Sequence, residues 1–296
     1  MTAFYVYTAA NHLGEVVISR ETPFVLSLHQ LTALDASPVR LVELAGDAGC
    51  RHVCIFTFVP EAAQGRYPLV TAGDAPELRR RMADAGVSLC NLEVFPLDGK
   101  EDHDAFARAL DVGAALGATK ATAHVHDVTG LAEAADRFGA FCDLAADRGI
   151  VAGLEFMGFS AIRDIAAAAQ VVRSAGRGNL ACDVLHLFRN GGGVADVAAN
   201  ADLIGYVQLC DGPMLRPPEE WWAEAVRMRQ LPGDGELPLV DLVSAVRKDT
   251  VIEIEVPRFD DAKAGVSDAE RVARAVEATR AVLRQAPSGD ERAEAV

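Results

Sequence analysis

The sequence predicts an α/β fold of the (β/α)8 type, a single barrel of eight parallel strands surrounded by helices. Three observations lead to it: a length of 296 residues, eight short β-rich runs separated by amphipathic stretches, and a glycine at the end of most of those stretches. The length suits one large α/β barrel. Half of the residues are hydrophobic, which supplies enough apolar material for its core.

Eight runs rich in apolar and β-branched residues mark the expected strands. In chain order they are 24–29, 52–58, 87–94, 119–124, 151–156, 179–183, 203–209 and 250–256. The helices expected between and after them are 38–48, 74–85, 103–116, 131–147, 161–174, 194–199, 239–246 and 268–283. Strands that alternate with helices pair in parallel, because each helix returns the chain to the same end of the sheet.

Five expected helices end in a glycine just before the next strand: Gly49, Gly86, Gly117, Gly149 and Gly176. Glycine adopts the left-handed backbone that closes a helix, so it is a typical stop signal. The alternative is an open doubly wound sheet, but no GxGxxG motif follows the first run. We therefore expect a barrel over 24–285, with a short N-terminal extension over 1–23 and a frayed tail over 286–296.

Charge and cysteine usage limit the possible functions. A formal net charge of −15 argues against binding to nucleic acid or to an anionic membrane surface, since both are bound through Lys and Arg. No apolar run reaches the length of about 20 residues that a spanning helix needs. The N-terminus lacks the features of a secretory signal, and the six cysteines have no CxxC spacing. We expect reduced, buried thiols and a cytoplasmic protein.

Oxygen-bearing side chains stand at the ends of the last four expected strands. Glu155 and Asp183 end the fifth and sixth runs, and Gln208 lies near the end of the seventh. In the eighth, the alternation of a strand sends Glu253 and Glu255 to the same face. The carboxyl ends of barrel strands form the active site in enzymes of this architecture.

A bound cation is the simplest explanation for these inward carboxylates, which would otherwise repel one another and raise their own pKa values. We predict one divalent metal ion held by Glu155, Asp183, Gln208 and Glu255. This oxygen-only set favours Mn²⁺, with Mg²⁺ or Co²⁺ as alternatives. Any single carboxylate could instead be an ion-paired core group. Gln208 could make only a core hydrogen bond, and Glu253 could lie lower, paired with Lys120 or an arginine.

Five motifs carry a resemblance to a known family. They are LEF at 154–156, CDVLH at 182–186, VQLCDG at 207–212, LPGDGELPL at 231–239 and IEIEVP at 252–257. In this order they resemble the xylose-isomerase-like TIM barrel superfamily, which includes the sugar phosphate isomerase/epimerase family and related lyases. The resemblance extends over about residues 24–285. Gln208 departs from it, because many members have histidine there.

The resemblance implies roles for individual residues. Glu155 and Glu255 match catalytic acid/base groups that also bind the metal, and Asp183 matches a further metal ligand. His186, Arg229 and Asp211 match residues that contact or surround the substrate. By their position at strand ends, Glu93, His124 and His126 are further candidates for substrate binding, and His29 ends the first strand. A polyol pocket needs several such donors and acceptors.

The function implied is a divalent-metal-dependent isomerase or epimerase of a keto or aldehydo sugar or related polyol. Its reaction begins with proton abstraction next to a metal-bound carbonyl, giving an enediolate. A metal-dependent dehydratase or lyase acting by β-elimination on a keto-sugar, keto-glycoside or cyclic polyol shares that first step and is the alternative. An abasic-site endonuclease is disfavoured by the acidic charge and the seven histidines. A further alternative is a barrel that binds a ligand or partner without catalysing a reaction.

We expect a small polyhydroxylated substrate as partner, and self-association is possible. The connection between about 210 and 236 is unusually long and carries Trp221 and Trp222. Loops of that length inside a domain are typically lids, binding loops or contact surfaces. The tryptophan pair could cover an aromatic or glycosidic substituent of the substrate, or could form a dimer contact.

Overall fold

The computed structural model describes residues 24–286, and within them eight parallel strands close into a barrel in chain order. This confirms the (β/α)8 fold. The strands are β1 (Leu26–His29), β2 (His52–Phe56), β3 (Ser88–Leu97), β4 (Lys120–Val125), β5 (Val151–Glu155), β6 (Asn179–Asp183), β7 (Ile204–Leu209) and β8 (Val251–Ile254). The expected extension over 1–23 and residues 287–296 of the expected tail lie outside the described residues.

All eight expected helices are present, with ends that move by at most four residues. The helices are α1 (Pro38–Asp47), α2 (Ala75–Ala85), α3 (His103–Ala115), α4 (Leu131–Ala146), α5 (Ile165–Ala175), α6 (Val184–Arg189), α7 (Val194–Ala199), α8 (Trp221–Arg227), α9 (Leu239–Ala245), α10 (Phe259–Lys263) and α11 (Asp268–Gln285). The largest shift is at α5, which begins late because the Asp164 side chain accepts the N–H of Ala167 and caps the helix there. Helices α6, α8 and α10 were not expected. Each has seven residues or fewer and precedes an expected helix in the same segment, so an alternation of one strand with one helix left it out.

The five helix-ending glycines have positive φ angles, between 65° and 84°, as their role requires. The six cysteines are all free and buried, which confirms the expected thiols. None of the helices within residues 24–286 is long and apolar enough to cross a membrane.

The interior of the barrel holds a layer of hydrogen-bonded polar side chains. Asn91 donates to the Thr122 hydroxyl over 2.9 Å, and that hydroxyl also contacts the hydroxyl of Tyr206. Ser27 and Asn91 each lie 3.2 Å from one carboxylate oxygen of Glu253. Each of these residues stands two positions before a residue singled out from the sequence, which is His29, Glu93, His124, Gln208 or Glu255, so the polar layer lies one step below the mouth of the barrel.

Candidate metal and acid/base site

A cavity of about 260 Å³ lies at the carboxyl ends of the strands. Seven of the ten residues singled out from the sequence line it: Glu93, His124, His126, Glu155, His186, Arg229 and Glu255. We call Glu93, His124, Glu155, His186, Arg229 and Glu255 the polar floor. Four rings, Phe56, Tyr67, Phe159 and Trp222, also line the cavity, and we call them the aromatic wall.

Glu155, Asp183 and His186 form the group best placed to hold a metal ion. One potential ligand atom from each lies within 4.8 Å of the other two. Asp183 ends β6 and caps α6 by accepting the N–H of His186 over 3.1 Å, which fixes the histidine beside it. Burial lowers the pKa of His186 to about 4, so the imidazole is neutral at physiological pH and its nitrogen is free to bind a metal.

Arg229 bridges two of the predicted ligands. Its Nη1 lies 2.6 Å from Asp183 Oδ2, and its Nη2 lies 2.9 Å from Glu255 Oε1. Burial alone would raise the pKa of Asp183, but the charge of Arg229 lowers it below the usual range. For Glu255 burial outweighs the arginine, and its pKa lies well above the usual range. The arginine expected to hold substrate thus neutralises two carboxylates of the site.

Glu155 is suited to hold a proton. Burial, followed by the negative charges of Glu93 and Asp183, raises the pKa of Glu155 well above its usual range. His124 Nε2 lies 2.6 Å from Glu155 Oε2 and fixes that oxygen. Burial lowers the pKa of His124 to about 4, so the pair is a carboxyl group beside a neutral imidazole.

The amide nitrogen of Gln208 bonds to a residue outside the group that the sequence assigned it to. In the sheet it is level with Asp183 and Glu253, but its amide nitrogen donates to Glu93 Oε1 over 2.9 Å. Glu93 in turn accepts from His29 Nε2 at 2.7 Å, since the other ring nitrogen of His29 accepts the N–H of Leu31. The core hydrogen bond considered for Gln208 is therefore present.

Two of the predicted metal ligands carry a buried oxygen without a hydrogen-bond partner among the described residues, Gln208 Oε1 and Glu255 Oε2. A buried oxygen without a partner is costly, and a cation nearby would satisfy it. These orphaned atoms, together with the chemistry of Glu155, Asp183 and His186, fit a divalent ion in the polar floor.

The two glutamates of β8 have different positions. Glu255 lines the cavity, whereas Glu253 belongs to the polar layer beneath, with Ser27 and Asn91 as partners. Glu253 therefore has hydrogen bonds to neutral groups in place of the ion pair considered for it. The Nζ of Lys120, one of the partners considered, lies 5.9 Å from the centre of the Tyr206 ring.

A second group of potential ligands lies in that lower layer, formed by His29, Cys54, Glu93 and Glu253. Burial raises the pKa of the Cys54 thiol well above its usual range, so it stays protonated and is a poor ligand. His29 and Glu93 already satisfy one another. This group is therefore less suited to a metal than the polar floor.

Asp211 stabilises the long connection and does not line the cavity. Its Oδ1 accepts the N–H groups of Gly212 and Leu237, and its Oδ2 accepts that of Gly233, over 2.8 to 3.1 Å. The side chain thus joins the beginning of the connection to its end.

The tryptophans of the connection have separate roles. Trp222 lines the cavity, whereas the Trp221 indole donates to the carbonyl of Arg216 over 2.9 Å. Glu224, which is fully buried, holds α8 in place through Arg189 at 2.7 Å and Arg216 at 2.8 Å. The other three rings of the aromatic wall were missed, although Phe56 and Phe159 stand at or just after strand ends and could have been noticed there.

Comparisons with known proteins agree with the barrel fold. The sequence matches the profile of the family described as xylose isomerase-like TIM barrel over residues 42–282. No curated protein sequence matches it.

Several solved structures share the fold. The IOLI protein with a binding zinc atom superposes with a TM-score of 0.74 at 20% identity, over 90% of this chain and 100% of that one. A D-psicose 3-epimerase, solved in the presence of D-fructose, gives 0.65 at 16%, over 88% and 99%. The D-allulose 3-epimerase from Methylomonas sp., in complex with D-allulose, gives 0.65 at 15%, over 88% and 97%. The profile covers most of the chain, and the chain therefore belongs to the xylose isomerase-like TIM barrel family.

Proposed function

We propose that this protein is a divalent-metal-dependent isomerase or epimerase of a keto or aldehydo sugar or a related polyol. The observation that carries the proposal is the pairing of two carboxyls of raised pKa, Glu155 and Glu255, in one cavity beside a group of metal-compatible side chains. Two similar folds are D-psicose and D-allulose 3-epimerases, and another was solved with zinc, which supports this class of reaction.

The metal would be held by Glu155, Asp183 and His186, with Glu255 Oε2 and Gln208 Oε1 as further oxygens. When bound, it would stabilise the negative charge that develops on the substrate oxygens. The sequence favoured Mn²⁺ from an oxygen-only set. His186 adds a nitrogen donor, so Zn²⁺ joins Mn²⁺ and Co²⁺ as a suitable ion, and Mg²⁺ becomes the poorest match.

The two carboxyls would move the proton. Burial keeps the affinity of Glu155 and Glu255 for a proton high, so each can take one from the carbon next to a carbonyl and hold it. His124 fixes Oε2 of Glu155, which leaves Oε1 as the oxygen for this transfer. Delivery of a proton by the second carboxyl to the opposite face of the same carbon would give an epimer, and delivery to the neighbouring carbon would give an isomer.

Elemental analysis of the purified protein tests the site directly. We expect about one metal per chain in the wild type and loss of it in Glu155→Ala and Glu255→Ala. Glu253→Gln is the matched control on the same strand as Glu255, and it should keep the metal because Glu253 lies below the cavity. Retention of metal in both alanine variants would overturn the site, and loss only in Glu253→Gln would move the metal to the lower group.

Incubation with ketoses and aldoses in heavy water tests the chemistry. We expect a substrate C–H to exchange for deuterium, and Glu155→Gln or Glu255→Gln to slow that exchange by about 10²- to 10⁴-fold. Release of water or of an aglycone in place of exchange would replace the epimerase by the lyase, which shares the first proton transfer.

A further inference from the structure

The cavity has two chemically different sides. The polar floor comes from strand ends, from α6 and from Arg229 just after α8, and it carries the proposed reaction. The aromatic wall comes from the segments after the strands, and Leu31, Val59 and Met157 extend it. The C–H face of a sugar could cover part of this wall, but a sugar hydroxyl laid against it would lose water without gaining a hydrogen bond, whereas a flat apolar group would lose none.

One part of the wall is packed together independently of the main core. Leu31, Phe56 and Val59 form a separate buried apolar cluster, against which Tyr67 packs. The rings of Phe56 and Tyr67 lie 5.2 Å apart, and the edge of Phe56 meets the ring of His29 at 5.8 Å. These rings are therefore held in place without a ligand.

The other part of the wall is exposed yet anchored. Phe159 contacts the ring of His186 edge to face at 5.3 Å, which places it at the junction of wall and floor. Trp222 lies on α8, the helix fixed by buried Glu224. Phe159 and Trp222 are 40% and 46% exposed, so a flat apolar group laid against them would remove a large apolar area from water.

We propose, building on the function above, that the substrate is a hydroxy-carbonyl compound with an aryl substituent. The hydroxy-carbonyl part lies on the polar floor, and the aryl ring lies against Phe56, Tyr67, Phe159 and Trp222. Rings that are fixed in advance bind another ring at little entropic cost, and each aromatic pair stabilises the complex beyond the area it buries.

Methyl and phenyl β-D-glucopyranoside are a matched pair of probes that differ only in the aryl group. Neither has a free carbonyl, so calorimetry on the wild-type protein measures binding without turnover. We expect the phenyl glycoside to bind at least about tenfold more tightly, which corresponds to about 1.4 kcal/mol.

Trp222→Ala and Phe159→Ala should each reduce that preference, the ratio of the two Kd values, at least about fivefold. Phe259→Ala is the control, because Phe259 is 39% exposed but lies outside the cavity lining. It should change neither Kd.

Equal affinity for the two glycosides, or no binding of the phenyl glycoside, would overturn the proposal. Both wall variants could instead change the oligomeric state and keep the preference for the phenyl glycoside. That result would assign the wall to contact with a second copy of this chain and would also overturn the proposal. The binding measurement involves no turnover. Its failure can therefore be distinguished from failure of the proposed function, which the metal analysis and the exchange experiment test.

Discussion

The guanidinium of Arg229 lies between Asp183 and Glu255 and gives one terminal nitrogen to each carboxylate, at 2.6 and 2.9 Å. All three side chains are buried. Two acidic groups that would repel each other are thereby held side by side around a shared positive charge.

Arg229→Met should destabilise the metal-free protein by about 3–5 kcal/mol, because it leaves two buried carboxylates without their partner. Urea unfolding measures this loss, and addition of Mn²⁺ or Zn²⁺ should restore part of it by replacing the missing charge. Arg40→Met is the control: its ion pair with Asp268 is partly exposed, and its loss should cost less than about 1 kcal/mol. Equal effects of the two variants would contradict the role given to Arg229.

Metal binding should release a proton from Glu155. The raised pKa of this carboxyl means that the metal-free protein keeps the proton at a pH where an ordinary glutamate has lost it. Metal affinity should therefore rise with pH until the carboxyl is ionised and level off above that point.

Calorimetric titration in two buffers of different ionisation enthalpy counts the protons released. In Glu155→Gln the proton release should fall along with most of the affinity, and any release that remains should come from Glu255, whose pKa is also raised. His186 should contribute none near neutral pH, since burial already keeps its imidazole neutral. A binding enthalpy that is the same in both buffers would argue against a protonated Glu155.

Glu253 should make the stability of the metal-free protein depend on pH. Burial raises its pKa from 4.5 to about 7, so its contribution is fully present below the unfolded pKa and is lost as the pH rises through the folded one. The expected loss of unfolding free energy is up to about 3 kcal/mol.

Urea unfolding of chelator-treated protein at pH 5 and pH 8 compares the wild type with Glu253→Gln. The variant should lose less stability between the two values, because the amide does not ionise and its single oxygen can still accept one of the two hydrogen bonds, from Ser27 or from Asn91. An identical pH dependence in both proteins would mean that Glu253 titrates normally.

Asp211→Asn should loosen the long connection. The new amide group would face backbone N–H donors in place of an accepting oxygen, and we expect a loss of about 2 kcal/mol. Hydrogen exchange at the amides of Gly233 and Leu237 should become faster. Asp234→Asn in the same connection is the control, since Asp234 is exposed, and it should leave that exchange unchanged.

The barrel was predictable because its signals are local and repeated. A strand of five residues and a glycine with positive φ both leave a mark in the sequence, and these marks also located Glu155 and Asp183 at strand ends. The position of a residue in its strand predicts which end of the barrel its side chain occupies, but it does not predict the hydrogen-bond partner of that side chain. Gln208 illustrates this, because its partner Glu93 lies 115 residues away on β3.

Other parts of the site depend on segments without periodicity. His186 joins the carboxylates because α6 begins immediately after β6, and this additional helix before α7 was not part of the expected alternation. The aromatic wall assembles from segments that follow β2, β5 and β7, and their mutual distances are set by the closed barrel rather than by anything near them in sequence.

The hydrogen bonds of Asp211 close the base of the connection between β7 and β8. The main chain reinforces that closure, since Asp211 and Gln230 pair through both backbone bonds and Glu236 bonds back to Gly212. Changes of length or composition in the segment that carries Trp222 would therefore be confined to it, without displacing Gln208 or Glu255 on the flanking strands. The part of the segment that precedes Arg229 is therefore where protein engineering could change what the barrel accepts, while the ion pairs of Arg229 with Asp183 and Glu255 are kept.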